Sequence, residues 1–141
     1  MTFIHHTAAR WALAAALLCA GVSAHATTSN KLNLTGAQEV PPVSTKGSGW
    51  GSIVVASDGA VRGSVKTKGV PGTAAHVHMG AAGVNGPVVV ALTKNSGGLW
   101  SVPAGTRLNA EQLKAYRAGA LYVNVHTDDN KDGEIRAQLR P

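Results

Sequence analysis

The chain holds one cysteine in 141 residues, few aromatics (4%) and few charged groups (14%). The apolar run it does have near the N-terminus is too short to span a bilayer. Each scarcity removes a class of function. The cysteine, Cys19, falls in the N-terminal stretch "MTFIHHTAARWALAAALLCAGVSAHATT". That stretch has Arg10, an apolar run from Trp11 to about Val22, and Ala24-His25-Ala26, which is the layout of a secretory signal peptide. Cleavage after Ala26 is expected, giving a signal peptide over 1–26 and a flexible tail over 27–30. A membrane anchor fits less well because no second apolar stretch follows, and lipid attachment at Cys19 fits poorly with Leu18 before it.

Without residues 1–26 the chain has no cysteine, hence neither a disulfide nor a thiolate site, although an oxidising compartment is expected. Any soft-metal site must then use histidine and methionine. The shortage of aromatics and the scatter of the basic residues argue against nucleic-acid binding, which needs a basic stripe interleaved with stacking rings. Loss of Arg10 leaves 12 basic against 7 acidic residues, a net charge of +5. No membrane span is expected after cleavage, and the place of action is periplasmic or secreted. Catalytic signatures are also missing, with neither a nucleophile elbow nor a glycine-rich phosphate cradle.

What is present is a series of short β-patterns bounded by Gly, Pro, Asn and Asp. "KLNLTG" alternates Leu32 and Leu34 on one face, and "GWGSIVVASDGAVRGSVKTKGV" reads as two strands joined at Ser57-Asp58-Gly59. "AAHVHMG", "GPVVVALT", "GLWSVP", "ALYVNVHT" and "GEIRAQLR" supply the rest. The series predicts an all-β, antiparallel, Greek-key-like sandwich over 31–141. One short helix near 110–118 is predicted from Asn109 as N-cap, Gln112 three residues on, and Gly119 as stop.

The remaining histidines are His76, His78 and His126. Residues two apart on a strand share a face, so His76 and His78 stand side by side, as do Asn124 and His126. If the two strands are neighbours, three imidazoles converge on a site suited to copper, as Cu(I) or Cu(II), or to zinc. Met79 has the opposite parity and is a possible fourth ligand only if the strand ends there, where Gly80 follows. Asn124, Glu39, Glu134 and Arg136 are expected around the site, Glu39 as a partner for a histidine and Glu134 with Arg136 as an ion pair. Pro41 and Pro42 predict an extended edge segment in "QEVPPV". Asp128, Asn130, Asp132 and Gly133 match the opening of a calcium loop. Its twelfth position is Leu139 and its flanks are strand-like, so a solvated hairpin turn is the better reading.

"LTGAQEVPPVSTKGSGWGSIVV", "AAHVHMGAAGVNGPVVVAL" and "LYVNVHTDDNKDGEIRAQL", in that order, resemble the CHRD domain, a family named from chordin that includes single-domain secreted bacterial proteins. The chain departs from the family pattern with Asp-Asp-Asn-Lys-Asp-Gly in the last turn and with Ala137 where glycine is usual. The resemblance implies a secreted β-sandwich module and no enzyme activity of itself. The His-x-His pair followed by a later histidine is also similar to the copper-ligand order of Cu/Zn superoxide dismutase. The histidine-rich zinc loop, the fourth copper histidine and the disulfide are missing, which puts dismutase activity in doubt and leaves a bare copper site. The functional expectation is copper handling or sequestration through His76, His78 and His126, with copper-dependent redox chemistry as the only enzymatic variant. The rival is a metal-free interaction module for an envelope protein or glycan.

Overall fold

The computed structural model describes residues 31–141. The expected signal peptide and the tail over 27–30 lie outside the described residues. Strand β1 (Lys31–Leu34) turns Leu32 and Leu34 inward, as its alternation requires, and a 3-10 turn (Gly36–Gln38) follows. Strands β2 (Ser48–Val55) and β3 (Val61–Lys68) form a hairpin in full register around the Ser57-Asp58-Gly59 turn. Gly59 sits there at φ 87°, and a hydrogen bond from its N–H to the Ala56 carbonyl closes the turn.

Then come β4 (Ala74–Met79), β5 (Val88–Ala91), β6 (Thr93–Lys94), β7 (Leu99–Ser101), helix α1 (Ala110–Arg117), β8 (Leu121–His126) and β9 (Ile135–Gln138). All strand pairs are antiparallel, in a five-stranded sheet ordered β1-β2-β3-β7-β6 and a four-stranded sheet ordered β5-β4-β8-β9. The chain changes sheet after β3, after β5 and through α1, which gives the non-sequential orders. Leu34, Ile53, Val65 and Trp100 from one sheet meet Val77, Val123, Val125 and Ile135 from the other in a shared core. Thr35 ties the two layers by exchanging backbone hydrogen bonds with Arg136 at 3.1 and 3.0 Å.

The two-residue strand β6 carries no alternation of its own and escaped the sequence pattern. Helix α1 has the expected reciprocal cap: Asn109 Oδ1 accepts from the Gln112 N–H at 2.8 Å, and Gln112 Oε1 from the Asn109 N–H at 2.9 Å. Its buried Tyr116 and half-buried Leu113 pack on the core.

The four-stranded sheet has an unusual second face. With Val77, Val123, Val125 and Ala137 turned to the core, parity sends His76, His78, Tyr122, Asn124 and Arg136 the other way. Most of that outward face is buried all the same, because loops roof it. The segment around 39–43, expected as an extended edge segment, forms no ladder with either sheet. Instead the Asn85 side chain donates to the Val40 carbonyl at 2.7 Å and the Val43 N–H returns to the Gly36 carbonyl. The 80–87 and 127–134 loops complete the roof.

Candidate metal centre

In the antiparallel register of β4 and β8, His126 stands opposite Ala74, Asn124 opposite His76, and Tyr122 opposite His78. His126 is thus the diagonal neighbour of His76, and the three imidazoles converge along the strand pair with His76 lying between the other two in register. Ring centroids lie 4.8 Å apart for His76 and His126, 5.5 Å for His76 and His78, and 5.7 Å for His78 and His126. One nitrogen from each ring lies within 4.8 Å of the others, and this is the grouping of metal-ligating side chains found among the described residues. A ladder irregularity between Val77 and His78 brings Val88 opposite His78.

The hydrogen bonds fix which nitrogens are available. His78 Nδ1 lies 2.8 Å from the Gly86 carbonyl and His126 Nδ1 lies 2.8 Å from the Lys131 carbonyl. A carbonyl only accepts, so both Nδ1 atoms carry the proton and both Nε2 atoms present a lone pair. His78 Nε2 is buried with no hydrogen-bond partner. An orphaned buried acceptor is costly, and an ion at the centre of the trio would satisfy it. His76 Nδ1 stands 3.0 Å from His126 Nε2 and donates to it here. Nitrogens that share a zinc-sized ion in a tetrahedral shell are about 3.3 Å apart, so accommodation needs the His76–His126 pair to open slightly, the separations that reach 4.8 Å to close, and transfer of the His76 proton to Nε2. The residues therefore fit a metal.

Burial holds the proton affinities of His76 and His78 below the ordinary imidazole value. For His76 the neighbouring His126 and His78 add to the effect. For His78 the Gly86 carbonyl opposes it. Both shifts favour the neutral rings that a metal requires.

A stack supports the site from beneath. The His78 ring lies on Tyr122 at 4.8 Å and 4° between planes, and the Arg136 guanidinium lies 3.3 Å over the same tyrosine. Tyr122 Oη accepts from the Gly86 N–H at 3.2 Å. Arg136 donates to the carbonyls of Ala81 and Val84 at 3.1 and 3.0 Å and to Asn85 Oδ1 at 3.2 Å. The loop whose Gly86 carbonyl orients His78 is therefore held by the pillar on which His78 rests.

The structure moves several expected residues. Met79 packs against the core, on the same side as Ala75 and Val77, and is not brought to the imidazoles. The strand does end at Met79, yet Met79 still pairs with Leu121 and so keeps the core-facing parity of Ala75 and Val77. Glu134 and Arg136 form no ion pair. Glu134 accepts from Thr45 Oγ1 and Thr127 Oγ1, each at 2.8 Å, bracing the 127–134 loop, while Arg136 turns to the 80–87 loop. Glu39 is buried and no hydrogen bond joins it to a histidine; Asn124 interacts with both, lowering the proton affinity of the carboxyl and raising that of His78. Burial pushes the Glu39 carboxyl up to about 7, against the opposing pull of Arg136 and Asn124. Asn124 Nδ2 donates to the Asp132 carbonyl at 3.1 Å. The aspartate-rich turn thus contributes through its backbone, with the Lys131 carbonyl holding His126 and the Asp132 carbonyl holding Asn124.

Three features were missed in the sequence: the Gly86 and Lys131 carbonyls and the stacking role of Tyr122. A backbone carbonyl leaves no side-chain signal, whereas Tyr122 shared the parity of Asn124 and His126 and was findable. The trio opens to solvent through a cleft of about 390 Å³, walled by Thr73, Val88, Asp128 and Lys131.

Fold and site together define a β-sandwich module with an open, carbonyl-oriented cluster of three histidines on its roofed sheet. The model of the CHRD domain matches residues 31–139, and the chain belongs to that family. Searches of the curated proteins and of the solved structures return no significant match. No helix among the described residues is long and apolar enough to cross a membrane.

Proposed function

We propose that this protein binds one copper ion through His76 Nδ1, His78 Nε2 and His126 Nε2 and serves in copper handling or sequestration outside the cytoplasm. The observation that carries the reading is the buried, unpartnered Nε2 of His78, in a ring whose Nδ1 is engaged by the Gly86 carbonyl and whose centroid lies 5.5 and 5.7 Å from two further imidazoles. A donor set of three neutral nitrogens without carboxylate or thiolate suits copper best, which stands highest among the divalent first-row ions for such ligands. Zinc is the alternative occupant, since three protein ligands with an open fourth position also describe its reactive sites. With Met79 in the core, no thioether biases the site toward Cu(I).

Carbonyl partners on the second ring nitrogen are the usual means of aiming a ligand histidine, and two of the three rings have them. The signal-peptide layout of residues 1–26 and the membership of the CHRD family support export. The open cleft leaves a coordination position for a small ligand or for an exchanging partner.

The test is metal-linked stability. Thermal unfolding of the metal-stripped protein should shift upward with added Cu(II) by mass action. His126→Ala should abolish the shift while keeping a folded protein. The packing rival predicts instead that His126→Ala lowers stability equally with and without metal.

A further inference from the structure

The five-stranded sheet has an outward face that the metal site does not use. Cross-strand register places Asn33, Trp50 and Lys66 in one row, with Lys31, Ser64 and Ser101 among the residues of the next. Parity sends Arg62 and Lys68 to the same face, since Val61, Val65 and Thr67 point inward. Trp50 is 48% exposed, a large indole set between Asn33 and Lys66 in a row that ends at Leu99.

Charge on this face has one sign. Lys31, Arg62, Lys66 and Lys68 are exposed, and the ion pair found among the described residues, Arg107 with Asp58, involves none of them. The acidic residues lie elsewhere: Glu39, Asp128, Asp129, Asp132 and Glu134 in the roof of the other sheet, Glu111 on α1, and Asp58 in the β2–β3 turn. A net positive chain has thus gathered four cations and no anion around one exposed tryptophan.

We infer that this face binds an acidic polysaccharide, with Trp50 stacking on a sugar ring and Lys31 and Lys66 pairing with its carboxylates. The geometry favours a glycan over other polyanions. Neighbouring strands are about 4.8 Å apart, close to the length of one pyranose residue, so successive groups in a row meet successive sugars. An indole face flanked by amide and hydroxyl side chains matches the apolar face and the hydroxyl rim of a sugar. A nucleic acid would call for several stacking rings along a groove, and this face offers one. A lipid surface would call for a protruding apolar cluster, whereas Trp50 stands among polar neighbours. The face is on the opposite layer from the histidines, so the inference stands or falls apart from the metal reading.

The experiment is binding of the purified protein to sodium polygalacturonate, by calorimetry and affinity electrophoresis, beside neutral dextran, single-stranded DNA and phosphatidylglycerol vesicles. Binding to polygalacturonate and not to dextran is expected, weakening as salt rises from about 20 to about 200 mM. Trp50→Ala should weaken it roughly tenfold, Trp50→Tyr should keep most of it, and paired Lys31→Gln and Lys66→Gln should weaken it and reduce its salt dependence. Because these positions are exposed, unchanged thermal midpoints will show that the variants fold. The inference is overturned if polygalacturonate does not bind, if Trp50→Ala binds as the wild type does, or if DNA or vesicles bind more tightly than the polysaccharide.

Discussion

His78 lies parallel to Tyr122, 4.8 Å between ring centroids and 4° between planes, so that a candidate metal ligand is clamped on an aromatic floor. Strand order β4-β8-β9 puts His78 on one side of that floor and Arg136 on the other. Residues with no ligand atom of their own thereby set the aim of the ligand nitrogen.

Tyr122→Leu should therefore lower copper affinity by about 10- to 100-fold, the range expected when groups orienting a ligand are removed. Tyr122→Phe keeps the stack and loses only the bond to the Gly86 N–H, at a cost of about 1 kcal/mol in stability. Calorimetric titration with urea unfolding separates the two. Equal affinity in the leucine variant would remove the floor from the account.

Arg136 is buried, and its guanidinium serves the Ala81 and Val84 carbonyls and the Tyr122 ring. Arg136→Met should destabilise the protein by about 3 kcal/mol, since the loop carbonyls lose their donor. The 80–87 loop should then exchange its amide hydrogens faster than the rest of the sheet. Uniform exchange with unchanged stability would show that the loop is held by something else.

The histidines and Glu39 give opposite pH dependences. His76 and His78 have lowered proton affinities, so the unfolded chain binds more protons as pH falls through about 6.5, and the metal-free fold loses stability below that pH. The Glu39 carboxyl, raised from 4.5 to about 7, favours folding when neutral. Its contribution is complete at low pH and is lost as pH rises through about 7. Glu39→Gln stays neutral throughout and should gain about 2 to 3 kcal/mol on wild type between about pH 5 and pH 8. Urea unfolding at both values measures this, and a difference that does not vary with pH would contradict the burial of a titrating carboxyl.

Met79→Leu should leave copper affinity unchanged within about twofold and cost less than about 1.5 kcal/mol, as a volume-conserving core exchange does. A tenfold fall in affinity on titration would restore Met79 as a ligand.

The fold was legible because its elements carry local signatures. Leu32 and Leu34 alternate, Ser57-Asp58-Gly59 turns a hairpin, and Asn109 with Gln112 caps a helix. The three histidines were legible as a set through two-residue parity and through the resemblance that paired their strands. Met79 was misplaced because the end of β4 does not free it: it still pairs with Leu121 of β8 and so stays on the core side. Glu134 and Arg136 were paired by parity alone, although their partners, Thr45, Thr127 and the 81–85 backbone, are distant in sequence and met only in the folded roof.

The central claim is best tested by titrating the metal-stripped, tag-free protein with Cu(II) under electron paramagnetic resonance. The account predicts one tightly bound equivalent with couplings from three nitrogens, lost on single alanine substitution at His76, His78 or His126. Binding no tighter than at a stray surface histidine pair, or a spectrum unchanged by those substitutions, would contradict it and leave the trio as architecture.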